Sequence, residues 1–328
     1  MSAAVRDPVE RLEAALGLSD STPRKRMLII VNPYATTVSD RLKNLVVYAL
    51  RGSYQVDAID TETRNHAAEL GREAAREGYD VVVAFGGDGT VNEAANGLAG
   101  SGTALGCIPG GRTNVFCRIL GIPNDVVDAT EHLLQIADRW STRTVDLGTA
   151  GERKFLFSAG VGLDASVVEQ VDAHPHLKAR FGEWYYTAIV LRTFNRRYLL
   201  NPPRLEVSVG DQRLEGVSAF VQNAAPYTYF GQRRIDIGEG ATLGGGELSG
   251  CVLRRASPVD IPTLAWRALS RRARVARHRQ ITPFSGVSSV DVRSLDGRPL
   301  PLQVDGDYIG EAEQVSFGIT PQALQVVA

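Results

Sequence analysis

At 328 residues the chain exceeds the usual size of one domain, so two domains of comparable mass are expected, each with its own core. Hydrophobic residues make up 44% and charged residues 22%, which excludes a disordered or fibrous chain, and a formal net charge of -1 argues against a nucleic-acid-binding surface. Cys107, Cys117 and Cys251 lie far apart with no CxxC pair, excluding a disulfide framework or a zinc cluster and pointing to a reducing compartment. The start of the chain carries Asp7, Glu10 and Glu13 in place of a charged-then-apolar leader, and no apolar run approaches the ~20 residues of a membrane helix, so a cytoplasmic protein is expected.

Asp7-Pro8-Val9-Glu10 reads as a helix start, with Val9, Leu12 and Leu16 at helical spacing and a stop at Gly17. Residues 19–26 look like a linker. From Met27 the texture alternates: apolar 27–31, a helix with Leu42, Leu45, Val46, Ala49 and Leu50, strand-like alternation from Tyr54 to Ile59, and a helix from Asn65 to Glu77. The apolar run 81–85, a helix from Val91, a strand from Leu105 to Ile108 and more helix to Arg139 continue the cycle. Such alternation predicts a Rossmann-like α/β domain with a parallel sheet, set at 27–147 after an N-terminal helix and linker at 1–26.

After Asp146 the segments shorten and alternate with period two: RKFLFSAG, PRLEVSVG, GVSAFVQN, LSGCVLRR, VSSVDVRS and PLQVDG. They predict a second domain at 148–328, an antiparallel β-sandwich whose last strand or strands can pack back on the first domain. Two added helices are expected, Leu177 to Leu199 and Pro258 to Arg279.

Chemistry concentrates in VVVAFGGDGTVNEAANGLAG, where a buried strand runs into Gly86-Gly87-Asp88-Gly89-Thr90 and then a helix. Glycines let the backbone approach a ligand without a Cβ, so that consecutive amides can face anionic oxygens with the helix dipole behind them. Gly-Asp-Gly also occurs in ordinary turns, but the flanking strand and helix favour a phosphate site. Asp88 would oppose a bare polyphosphate unless a cation or a transferable proton lay between, which suggests catalysis.

Together with Asn32-Pro33 after the first strand, Asn92-Glu93, LGCIPGGRTNVF at 105–116, VDLG at 145–148, GVGLDA at 160–165 and Val304-Asp305-Gly306-Asp307, this loop resembles the family of diacylglycerol kinases, bacterial lipid kinases and sphingosine kinases. The marks span most of the chain. The resemblance implies an ATP-dependent lipid kinase whose acceptor is diacylglycerol or a similar lipid, with nucleotide in the first domain and the lipid head group entering from the second. It implies that Asn32, Pro33, Thr61, Gly86, Gly87, Asp88, Gly89, Thr90, Asn92, Gly111, Arg112, Thr113 and Asn114 hold ATP. It makes Asp307 the proposed base, with Asp305 or Asp88 as substitutes, and sets Asp88 and Asp146 nearest a Mg2+ ion. Asp305-Gly306-Asp307 also reads as a plain hairpin turn.

Three departures from the family pattern stand out. Arg112 and Val115 occupy positions where relatives carry a hydroxyl and an acid, Gly245 stands where an Asp helps hold a structural magnesium, and Asp307 replaces a glutamate. Two other readings follow: an NAD kinase, which shares the GGDGT loop, and a non-catalytic nucleotide- or lipid-binding relative. A lipid substrate implies transient, peripheral contact with a membrane surface. The arginines 267, 271, 272, 274, 277 and 279 with Leu264, Trp266 and Leu269 make either a basic amphipathic helix for anionic lipid or a solvated helix face. The stripe Phe181, Trp184, Tyr185, Tyr186, Ile189, Val190, Phe194 and Tyr198 reads as core or as the wall of an acyl tunnel. Exposed sandwich edges allow a homodimer.

Overall fold

The computed structural model describes residues 24–137, 140–172, 202–270 and 272–328. The helix expected at the N-terminus and the aromatic stripe between Phe181 and Tyr198 lie outside these residues.

Four parallel strands, β1 (Arg26–Val31), β2 (Gln55–Asp60), β3 (Val81–Gly86) and β4 (Ala104–Pro109), run in the order β2-β1-β3-β4. β3 and β4 are buried along their whole length, as strands covered on both faces must be. Helices α1 (Asp40–Leu50) and α5 (Val126–Ala137) pack on one face of the sheet. Helices α2 (His66–Arg76), α3 (Asp88–Leu98) and α4 (Val115–Leu120) join the core on the other. The helix expected from Val91 starts three residues earlier, straight out of the glycine loop. The single helix expected up to Arg139 is two, because Gly121 turns left-handed at φ 80 and ends α4.

Beyond β5 (Thr142–Ala150) and β6 (Arg153–Phe155) the chain is largely antiparallel. One six-stranded sheet has the order β14-β13-β10-β7-β16-β17, formed by β7 (Ser158–Val161), β10 (Ser218–Gln222), β13 (Leu248–Leu253), β14 (Ile281–Val287), β16 (Leu300–Val304) and β17 (Asp307–Ala312). Facing it, β8 (Leu205–Val209), β9 (Gln212–Gly216), β15 (Ser289–Ser294) and the long β18 (Gln314–Val327) extend the first sheet. Val207, Val292 and Phe317 from one sheet and Val161, Val221 and Val304 from the other share one buried cluster, the sandwich core. The chain thus combines a parallel α/β domain with an antiparallel sandwich.

β18 joins the two halves. Its start pairs with β15, and its end lies parallel to β4 at Val326↔Leu105 and antiparallel to β5. β5 itself runs through the boundary drawn at 147/148.

The helix expected over 258–279 is shorter. α7 (Ile261–Leu269) stops where Ser270 becomes extended and its Oγ accepts the amides of Arg272 and Ala273, an alternative to helical pairing. Among the described arginines of the predicted basic stripe, only Arg267 is on the helix. Among the described residues, no helix is long and apolar enough to cross a membrane.

Candidate active site

β3 ends at Gly86 and α3 begins two residues later, so the glycine loop is no longer than a helix start. Gly86 is required because Thr90 folds back over it: a Cβ there would meet Thr90 Oγ1 at 2.5 Å. Thr90 Oγ1 accepts from Asn32 Nδ2 at 3.1 Å, which ties the end of β1 to the loop after β3. Asn32 also donates its amide to Phe85 O, and its Oδ1 accepts from Tyr34 N. Thr61 continues β2 across to Val31, and Pro33 is exposed beside Asn32.

The second glycine pair packs on the first. Cβ atoms at Gly110 and Gly111 would stand 2.8 Å from Gly86 Cα and 2.9 Å from Gly87 Cα. Asn114, left-handed at φ 47, closes this loop on itself, with Oδ1 accepting from Gly111 N and Nδ2 donating to Gly111 O. Arg112 is exposed and Thr113 half-buried on the same turn. Two glycine segments pack in van der Waals contact at the mouths of adjacent parallel strands, an approach that a Cβ on Gly110 or Gly111 would block, and together form a backbone-lined cradle. Its donors are backbone amides and the N-terminus of α3, which suit a polyphosphate.

The carboxylates expected in this cradle are placed differently from one another. Asp88 turns towards α4, and its two oxygens accept the amides of Val115 and Phe116 at 3.0 and 3.1 Å. It caps a helix whose own N-cap, Asn114, supplies no side-chain bond to it. Where relatives carry an acid, Val115 is buried as the first residue of that helix. Asp146, also buried, accepts Gln322 N at 2.8 Å and Gly246 N at 2.7 Å, so it holds the 243–246 turn and the bend of β18. Among the described residues no three acids, histidines or cysteines gather as a metal cage. Magnesium commonly binds through one or two carboxylates together with substrate phosphates, so this donor set suits an ion delivered on a nucleotide better than a resident one.

Asp305 is buried and left-handed at φ 49. Its oxygens accept Leu156 N, Phe157 N, Ser158 N and Asn92 Nδ2, all between 2.7 and 3.0 Å. Burial pushes its pKa up to about 6, against the pull of those four donors. Asn92, expected at the nucleotide, is instead fully buried; it also donates to Lys154 O and accepts from Arg153. Asp305 and Asn92 together clasp the turn after β16 to α3.

That clasp aims Asp307. Its carboxylate lies over Gly89, where a Cβ would come within 2.6 Å of Oδ2. Asn32, Thr61, Gly89, Thr90 and Asp307 line one cleft of about 430 Å³. Tyr34, Glu62, Thr63, Arg64 and Glu93 complete it, and sequence reading missed them as a set because they come from two loops and helix α3. Arg64 donates to Tyr308 O at 2.6 Å, and Glu93 accepts Asn65 N at 2.8 Å, fixing the start of α2.

A second polar cluster escaped the sequence reading. Helix α6 (Leu163–Asp172) presents Asp164, whose Oδ2 accepts from Gln303 Nε2 at 2.7 Å and from the Tyr227 hydroxyl through a short bond. Burial raises the Asp164 pKa, while these two donors lower it. Gln303 Nε2 also reaches Tyr227 Oη at 2.8 Å, and its Oε1 accepts Gly306 N at 2.9 Å. The cluster is thereby wired to the turn that carries Asp307. The GVGLDA motif drew attention to the segment of Asp164, but nothing in the spacing of Tyr227 or Gln303 announced their partnership.

A parallel sheet with paired glycine loops is met here by an acid from an antiparallel sandwich. Residues 26–150 match the model of the diacylglycerol kinase catalytic domain. The chain is 28% identical over 299 residues to a diacylglycerol kinase of Staphylococcus aureus (strain bovine RF122 / ET3-1), covering 88% of each. A diacylglycerol kinase of Staphylococcus haemolyticus (strain JCSC1435) is 25% identical, over 88% of this chain and 84% of the relative. The fold matches a crystal structure from Bacillus anthracis str. Sterne with TM-score 0.71 at 23% identity, covering 94% of this chain and 98% of that one. The chain is thus similar to diacylglycerol kinases over most of its length, with residues 26–150 matching their catalytic domain.

Proposed function

We propose that the protein is an ATP-dependent lipid kinase that transfers the γ-phosphate to a lipid hydroxyl, with diacylglycerol as acceptor. The observation that carries this reading is the contact of Asp307 with Gly89, which brings one carboxylate to the floor of a phosphate-shaped loop. The amides of 86–90, with Asn32, Thr61 and the turn 111–114, bind the triphosphate. Asp88 and Asp146 are the acids of this region that would hold a Mg2+ ion delivered with ATP, and such an ion would offset phosphate charge. The lipid hydroxyl gives its proton to Asp307 as its oxygen bonds to the γ-phosphorus. The bond to the β–γ bridging oxygen breaks, and ADP leaves with that electron pair. Asp305 positions the turn and stays out of proton transfer, since four donors already occupy it. Asp164 and Tyr227 receive the polar end of the acceptor.

The test is to incubate the protein with γ-labelled ATP and magnesium, offering micellar diacylglycerol, a sphingoid base and NAD in parallel. Label in phosphatidic acid is expected. Label in NAD alone would replace this reading with an NAD kinase, and transfer to no acceptor would leave a non-catalytic relative.

A further inference from the structure

Between residues 254 and 280 the sequence holds eight arginines and a single acid, Asp260, in a chain whose net charge is only -1. The structure does not string these arginines along one helix. Arg254 and Arg255 leave β13, Arg267 rides α7, and Arg272, Arg274, Arg277 and Arg279 follow in an irregular stretch around the short turn Val275–Arg277. Some of this charge serves the fold: Arg279 pairs with buried Asp260 at 2.7 Å, and Arg274 with Glu239 at 3.0 Å. Arg254, Arg255, Arg272 and Arg277 are exposed and in no ion pair among the described residues.

Apolar groups stand out from the same surface. Val259 is 74% and Trp266 62% exposed, although the opposite face of α7 is well packed through Leu264. Phe230 is exposed on the hairpin of β11 (Thr228–Phe230) and β12 (Arg233–Ile235), which Arg233 fastens to Leu269 O at the end of α7. An exposed tryptophan and valine on a segment that also carries four exposed arginines outside any ion pair among the described residues mark an interaction surface rather than a merely solvated helix. Indole and guanidinium both suit the headgroup level of a bilayer, where basic residues also gain from anionic lipid.

The position of the surface selects the partner. Leu264 of α7 and Leu163 of α6 pack into one apolar cluster with Phe220, and Phe220 meets Tyr227 edge-on at 5.7 Å between ring centroids. Tyr227 bonds Asp164. The basic surface and the Asp164 cluster thus share the outer face of the six-stranded sheet. We propose that Val259, Trp266, Arg254, Arg255, Arg272 and Arg277 dock the protein on an anionic bilayer, presenting that face to the membrane. The choice of a bilayer over a nucleic acid rests on the lipid-kinase reading; the docking itself does not require catalysis.

The test is sedimentation of the full chain with phosphatidylcholine vesicles, with and without phosphatidylglycerol, at low and high salt and without ATP. Wild type should bind the anionic vesicles alone, and bind them more weakly but still measurably in high salt. Arg272→Ala and Arg277→Ala should each weaken binding about fivefold, and Trp266→Ser should weaken it at both salt concentrations. Melting temperatures and turnover of a water-soluble short-chain acceptor should stay as in wild type. Variants that partition like wild type would overturn the assignment, as would tighter binding to an RNA fragment than to the vesicles. Vesicle binding without any phosphoryl transfer would support docking and count against the kinase reading alone.

Discussion

Asp307 and Gly89 touch across the cleft: Oδ2 occupies space that a Cβ on Gly89 would need, with 2.6 Å between them. Gly89 is the second residue of α3, so alanine there is acceptable to the backbone and would favour helix by about 0.5–1 kcal/mol. Gly89→Ala should therefore leave the melting temperature equal or higher, yet push the carboxylate aside. A misplacement on the order of 1 Å costs about 100-fold in rate. Steady-state kinetics showing wild-type kcat in this variant would remove Asp307 from the reacting geometry.

Asp305 sets a pH dependence of stability. Its folded pKa of about 6 exceeds its ordinary 3.8, so between those values the folded state holds the proton more often than the unfolded chain. The stabilisation linked to this proton is complete below the lower value and is lost as pH rises through the upper one. It is worth at most about 3 kcal/mol. Asp305→Asn has no such proton, so its thermal stability should gain on that of wild type between pH 5 and pH 7. A constant difference across that range would contradict the assignment.

Asp88 has a structural duty as well as any catalytic one. Asp88→Ala strips both amide partners from the start of α4 and should cost about 1–2 kcal/mol in urea unfolding, as loss of a cap does. Unchanged stability would show the cap to be dispensable. Loss of activity in this variant alone would not identify a reacting group.

Gln303 joins the Asp164 cluster to the Asp307 turn through Gly306 N. Gln303→Leu removes that acceptor and leaves the Asp164 carboxylate with Tyr227. We expect kcat to fall about tenfold or more while the Kd for ATP holds, because the lost bonds lie on the lipid side of the cleft. An effect on ATP binding equal to that on kcat would mean general damage.

The parallel domain was legible because its signals are local. Four apolar runs, intervening helical periodicity and two glycine loops each occupy a few consecutive residues, and the strands form where those runs lie. What escaped depends on distance along the chain. Asp88 finds its amides in a helix 27 residues on, and Asp305 bonds residues 147 to 149 positions earlier, so no spacing could reveal either. Asn92 lies two residues past the GGDGT loop but faces the sandwich, because the turn of a helix sends it there. The helix expected to reach Arg279 failed at one residue, Ser270, whose hydroxyl competes for amides that helix propensity alone assigns to the backbone.

The central claim is that Asp307 takes the acceptor's proton in a cleft whose nucleotide half is built from other residues. Single-turnover transfer from γ-labelled ATP to diacylglycerol, with the Kd for ATP measured alongside, compares wild type and Asp307→Asn most directly. Asp307→Asn should transfer phosphate about 100-fold or more slowly, with an unchanged Kd and an unchanged melting temperature. A variant that transfers phosphate at the wild-type rate would contradict that claim.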